Sequence, residues 1–262
     1  MRRRDFLVSS AWGMAGLLGT GPLSLSAIRS PPAAATRKIL IAGGGYGRAF
    51  IGYMAALTGK ERPRLLYLPT ASADSATGTI AWFQACAGLD VEPYVQNAFV
   101  SSYSMKQSWE DVLLSMDGIV ASGGNTLNQQ VIWEAHGIDV ILRQAWDRGI
   151  VLGGASAGSL CWFEEGTTDS RPKELSVVQG LGFIQGSHCP HYDREPDRRP
   201  LYLGLIASGR MKPGYACDND AGIYFEDNEV KRVVATRVGA RVFRVTRSGD
   251  RAVEELLQPE ML

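Results

Sequence analysis

The sequence predicts an α/β protein, a three-layer α/β/α arrangement with a mostly parallel central sheet and antiparallel strands added near the C-terminus. Three observations carry that expectation. Short apolar runs alternate with segments whose apolar residues recur at helical spacing. The runs are apolar on both faces, as strands covered by helices on each side must be. The C-terminal third turns β-rich, with turn signals such as Arg247-Ser248-Gly249-Asp250. With 262 residues, 45% of them hydrophobic and 21% charged, the chain can bury one sizeable core and is neither a disulfide-stapled mini-domain nor a disordered segment.

Lys38-Ile39-Leu40-Ile41-Ala42 reads as the first strand, ending in Gly43-Gly44-Gly45, and Phe50 to Leu57 as the first helix. Arg64 to Leu68 is the second strand, Thr79 to Gly88 the second helix, and Val91 to Val95 the third strand. Ser108 caps a helix opening at Trp109, because a serine hydroxyl can accept from the free amides of a helix start. Gly118 to Ala121 is the fourth strand, Leu127 to Arg148 one or two helices, and Ile150 to Leu152 the fifth strand. A helix through Leu160, Cys161 and Phe163 follows, then an apolar run at Leu181 to Ile184. Ile223 to Phe225, Val230 to Thr236 and Val242 to Val245 are the late strands.

The first 35 residues differ in kind. Arg2-Arg3-Arg4-Asp5-Phe6-Leu7 opens an apolar, glycine-containing stretch that ends in small residues, the three parts of an export signal, here of twin-arginine type. Ala33-Ala34-Ala35 offers a cleavage site and Leu25-Ser26-Ala27 an alternative. Gly13, Gly16, Gly19, Gly21 and Pro22 interrupt the stretch, so no stable membrane span is expected once the signal is removed. Residues 36–262 are then one α/β domain, and the protein is expected outside the cytoplasm. The formal charge is zero, but residues 1–35 take four of the 27 basic residues and one of the 27 acidic ones, leaving −3. No cationic excess remains for nucleic acid. Cys86, Cys161, Cys189 and Cys217 show neither C-x-x-C nor zinc spacing and read mostly as small buried hydrophobes.

In sheets of this kind ligands bind at the carboxyl ends of the strands. Three such ends carry chemistry. Gly43-Gly44-Gly45-Tyr46-Gly47 is no dinucleotide fingerprint, since the third glycine position holds Arg48 and the second strand ends in Pro69-Thr70 rather than an acid. Gly153-Gly154-Ala155-Ser156-Ala157-Gly158 places a G-x-S-x-G sequence between strand and helix, where small neighbours permit the sharp turn that presents a nucleophilic serine. The Ala157 amide then points to where an oxyanion forms, and Gly124 in Ser122-Gly123-Gly124-Asn125-Thr126 is the second donor. A base must come from three histidines. His136 precedes a capping Gly137; His188 and His191 stand together in Ser187-His188-Cys189-Pro190-His191-Tyr192-Asp193. No further ligand stands at metal spacing, so neither a metal nor a cofactor is implied.

Gly-Gly-Asn-Thr at 123–126, Gly-Ala-Ser-Ala-Gly-Ser at 154–159 and Cys-Pro-His-Tyr-Asp at 189–193, in this order, resemble the dipeptidase E and cyanophycinase family of serine peptidases. The resemblance spans nearly all of residues 38–225 and implies a glutamine-amidotransferase-like α/β fold and metal-free cleavage next to aspartyl residues. It implies Ser156 as nucleophile, His191 as base, Gly124 and Ala157 as oxyanion donors, and Asn125 and Thr126 at the substrate. For the acid that orients the imidazole it implies Asp169 first. The cyanophycin-cutting branch uses a Glu in the loop matching Asp218-Asn219-Asp220, where the register puts Asn219, with Asp218 or Asp220 as substitutes; Asp193 mimics the spacing of amidotransferases. An aspartyl substrate needs a local cation, for which Arg198 and Arg199 stand at the matching place, Arg199 preferred. The expected activity is a serine exopeptidase acting on short peptides with an N-terminal aspartate. Cleavage of an aspartyl-arginine polymer and non-catalytic binding of an acidic ligand are the alternatives.

Overall fold

A computed structural model describes residues 35–99 and 102–262. The export-signal reading falls on residues outside this description, apart from Ala35. Strand β1 (Lys38–Ala42), helix α1 (Arg48–Leu57), strand β2 (Arg64–Leu68), a 3₁₀ turn (Pro69–Ser72), helix α2 (Ala76–Cys86) and strand β3 (Glu92–Val95) come first. Then follow α3 (Trp109–Leu114), β4 (Gly118–Ala121), α4 (Thr126–His136), α5 (Ile138–Asp147), β5 (Val151–Ala155) and the single turn α6 (Ala157–Leu160). The remainder is β6 (Phe163–Thr168), β7 (Ser176–Gln179), β8 (Ile184–Cys189), α7 (Arg198–Ala207), β9 (Gly214–Cys217), β10 (Ala221–Glu226), β11 (Glu229–Ala235), β12 (Val242–Ser248), β13 (Arg251–Leu257) and β14 (Glu260–Met261).

An eight-stranded sheet runs β14-β11-β10-β1-β5-β4-β2-β3. Strands β1, β5, β4, β2 and β3 are parallel, and β10 and β11 extend the β1 edge in antiparallel fashion, as the C-terminal composition predicts. Alternation along these strands divides their side chains between two buried faces. Ile39, Ile41, Leu66, Leu68, Ile119 and Leu152 join one core with α3, α4, α5 and Trp162. Leu40, Leu65, Val120, Val151 and Ala155 join the other with α1 and α2, including Phe50 and Trp82.

The late strands do not all finish this sheet. A second, six-stranded sheet runs β13-β12-β9-β8-β6-β7, and α7 packs on it through Tyr202, Leu205 and Ile206. Its apolar side, with Phe163 and Ile184, closes against the first core. The helix expected through Phe163 stops at Leu160, because Phe163 to Thr168 pairs with β8 instead. Other local expectations match. Ser108 and Asp111 form a reciprocal capping box on α3, and Gly137 ends α4 at φ 68°. All four cysteines are free and buried.

Candidate active site

The turn from β5 into α6 places Ser156 at φ 58°, ψ −121°, a left-handed conformation that costs a non-glycine residue roughly 1–3 kcal/mol and needs its surroundings to hold it. Those surroundings are tight. Gly158 stands so close to β4 that a Cβ there would overlap the Ala121 carbonyl, which explains the second glycine of the motif. The Ser159 hydroxyl lies 2.8 Å from the Ser156 carbonyl oxygen and 3.0 Å from Nε2 of His188. His188 is wholly buried, and burial pushes its imidazole down to about 3, so the ring is neutral; its Nδ1–H donates to the Tyr215 carbonyl (3.1 Å). It is therefore a brace beneath the elbow.

His191 also has positive φ, 55°, and its backbone amide donates to the Gly43 carbonyl. Its Nε2 lies 2.8 Å from the Ser156 hydroxyl, and its Nδ1 lies 2.8 Å from Oδ1 of Asn219. Since an amide oxygen only accepts, Nδ1 carries the proton and Nε2 is left free to accept from serine. The loop between β9 and β10 delivers Asn219. Its backbone N–H donates to Asp193 (2.7 Å), its carbonyl accepts from Arg237 (2.9 Å), and Arg237 in turn bridges Asp193 and Asp220. Gly44 completes the seat, because a Cβ there would overlap the Asn219 amide and come within 2.8 Å of the imidazole.

The structure thus brings Ser156 and His191 together and puts Asn219, not one of the expected carboxylates, on the far ring nitrogen. Asp169 is 65% exposed and faces Arg198 at 3.6 Å. Asp218 is buried and accepts from the Arg241 backbone and guanidinium, both at 3.0 Å. Asp193 and Asp220 position Asn219 through its backbone rather than touching the imidazole. One carboxylate does approach His191 from the other side: Glu195 Oε1 is 4.0 Å from Nε2. Glu195 also accepts from Arg198 Nε at 2.7 Å, and Arg198 donates to the Thr167 carbonyl.

Arg199, the expected substrate cation, pairs instead with Glu254 (2.5 Å) beside the Tyr192 and Phe243 rings. Its neighbour Arg198 is the one that turns inward, 2% exposed. Asn125 caps α4 through the Asn128 amide (2.9 Å) and donates to the Ser170 carbonyl, while the Thr126 amide donates to Ser170 Oγ (2.9 Å). Both tie down the loop after β6. Gly123 packs against Ser156, a Cβ there falling 3.3 Å from the serine Cβ, so the loop holding Gly124 borders the nucleophile. Among the described residues, neither the Gly124 nor the Ala157 amide donates to a backbone carbonyl. Cys161 is buried and its thiol is pushed up by desolvation, which leaves serine as the available nucleophile of this turn.

The model of Peptidase family S51 matches residues 39–233, a stretch that contains Ser156, His191 and Asn219. The chain belongs to peptidase family S51. This is a serine-type peptidase, in line with the resemblance carried by the three motifs. An uncharacterized peptidase of Bacillus subtilis, YgaJ, is 42% identical over 193 residues, 74% of this chain and 82% of that protein. Among solved structures, a peptidase from an acI-B1 Actinobacterium superposes with TM-score 0.66 at 15% identity, covering 86% of this chain and 96% of its own. A putative peptidase E from Listeria monocytogenes gives 0.56 at 17%, covering 75% and 97%. At these identities the two structures speak for the S51 fold alone.

Of the residues gathered here, the sequence signals no role for Glu195. It places Asn219 opposite the ring only as a departure from an expected carboxylate, and it offers Arg198 only as the second choice to Arg199. No residue-type signal separates Glu195 from its charged neighbours, and only the facing of α7 distinguishes Arg198 from Arg199.

Proposed function

We propose that this S51 peptidase is an exopeptidase that releases an N-terminal aspartyl residue from short peptides, using Ser156, His191 and Asn219. The observation that supports it is the unbroken line of two 2.8 Å hydrogen bonds from the Ser156 hydroxyl through the imidazole to Asn219. Ser156 Oγ attacks the scissile carbonyl while His191 Nε2 takes its proton, and the oxyanion is received by the Ala157 and Gly124 amides. His191 passes the proton to the departing amine, and a water activated by the same nitrogen releases the acyl group. Asn219 fixes the tautomer but carries no charge, so Glu195, 4.0 Å from Nε2, is the group that stabilises the imidazolium.

Recognition of an N-terminal aspartate needs a carboxylate for the ammonium and a cation for the side chain. Glu195, Arg198 and Asp169 supply both, and Nη2 of Arg198, whose Nε and Nη1 are held by Glu195 and the Thr167 carbonyl, can turn to a carboxylate in place of the more distant Asp169. Hydrolysis of Asp-X dipeptides should fall by about 10⁴-fold or more in Ser156→Ala, with an unchanged thermal unfolding midpoint. Labelling by a fluorophosphonate should disappear with it. A variant that still hydrolysed at the parent rate would remove Ser156 from the mechanism.

A further inference from the structure

Beside Ser156 opens a cavity of about 410 Å³, within the usual range for small-molecule sites. Tyr46, Tyr67, Ala81, Trp82, Ala85 and Val120 form its walls, and among the described residues no charged side chain lines it. Tyr67 and Trp82 are stacked, centroids 5.4 Å apart and planes 12° from parallel, and the side chains of Ser72 and Ser122 interact with the Tyr67 hydroxyl. The aromatic wall is therefore fixed before any ligand arrives. On α2, Gly78, Ala81 and Ala85 line the cavity beside Trp82, so apart from the indole that helix contributes nothing larger than a methyl group.

The cavity and the charged group lie on different sides of the nucleophile. Val120, Ala155 and Trp82 belong to the core formed with α1 and α2 on one face of the eight-stranded sheet. Asp169, Glu195 and Arg198 come from the segments after β6 and β8, strands of the second sheet, whose Phe163 and Ile184 close against the opposite face. A peptide bond seated on Ser156 sends its two flanking residues to these two sides. The aspartyl residue and its ammonium require the charged one. We propose that the cavity receives the side chain of the residue following the scissile bond, and that this residue is apolar and up to aromatic in size. This rests on the aspartyl reading for the direction of the peptide. Burying a Phe or Leu side chain against a preformed aromatic wall favours hydrolysis, whereas a Glu there would lose its hydration without a partner.

The test is a matrix of dipeptides, with Asp, Ala or Lys first and Phe, Leu, Gly or Glu second, assayed for kcat/KM on the intact protein. At the preferred first residue, Phe and Leu should exceed Gly and Glu by at least about tenfold, the discrimination that apolar pockets typically give. Ala81→Trp, at an exposed position on α2, should fill the cavity and bring the Phe to Gly ratio close to one. That ratio is an internal control, because both substrates use one nucleophile. A parent ratio near one, a preference for Glu, or an Ala81→Trp protein that keeps the parent ratio overturns the proposal. Should Ala81→Trp fail to fold, the parent ratio and Ala81→Leu decide the same point. Loss of the Asp preference at the first position would sink the aspartyl reading, while the second-position ratio still judges the cavity.

Discussion

Asn219 changes where charge is managed in this site. A carboxylate on Nδ1 would both orient the ring and stabilise its protonated form; an amide oxygen does only the first. The negative charge nearest the imidazole is Glu195, on the Nε2 side, where it also partners Arg198. Adding charge at the first position and removing it at the second should therefore move the rate in opposite directions. Asn219→Asp adds a charge that favours the imidazolium of the transition state and should raise kcat/KM at neutral pH; Glu195→Gln removes one and should lower it by about tenfold. A purely structural role for Asn219 would make Asn219→Asp slower than the parent, and kcat/KM for the two variants distinguishes these outcomes. Ser156 and His191 are legible in the sequence because each needs a distinctive setting, a small-residue elbow and a proline-flanked loop. The partner of the ring is not, since any residue with an acceptor oxygen serves, and backbone clamping by Asp193 and Arg237 selects it. Arg198 and Arg199 are equally hidden: consecutive residues point about 100° apart on a helix, and composition does not say which faces inward.

The segment that follows the elbow shows how one element misleads and still works. Leu160, Cys161 and Phe163 fit a helical face, yet α6 is one turn long and Phe163 begins β6, because β8 offers a parallel partner that no local spacing reveals. So short a helix cannot hold the strained Ser156 by itself; Ser159 and His188 hold it from below, with His188 stacked on Phe163 at 4.9 Å. That support carries a pH signature. His188 is held neutral in the fold, its imidazole lowered from 6.5 to about 3 by burial. Between those values the unfolded chain binds a proton there that the folded chain does not, so stability falls as pH drops from about 6.5, by up to about 1.4 kcal/mol per unit. Urea midpoints should decline from pH 7 to pH 5 in the parent and decline less in a His188→Gln protein. Equal slopes would mean that His188 is not the group responsible.

The parallel half of the molecule is legible because each strand there announces itself by apolar alternation on two faces, and each helix between them by its own period. The second sheet is not. Its members are recognisable as strands, but whether β12 and β13 join β1 or β9 depends on pairing between residues far apart in the chain, and β6 and β8 hide behind buried polar residues such as Thr167, Ser187 and His188. From Ala34 to Leu262 the chain is one compact unit, and Ser156, His191, Asn219 and both flanks of the site fall inside it. We propose that residues 1–35 serve as a twin-arginine export signal, which carries proteins already folded. The buried thiols agree with assembly before export, since none is paired and the fold does not wait for an oxidising compartment. A chain trimmed to residues 36–262 should therefore fold and keep the parent kcat/KM on Asp-X dipeptides. In a bacterial host with the twin-arginine route, the full chain should appear outside the cytoplasm, and a protein carrying both Arg2→Lys and Arg3→Lys should accumulate inside, folded and active. Cell fractionation with an activity assay reads both, and export of the double variant at the parent level would remove the paired arginines from the route.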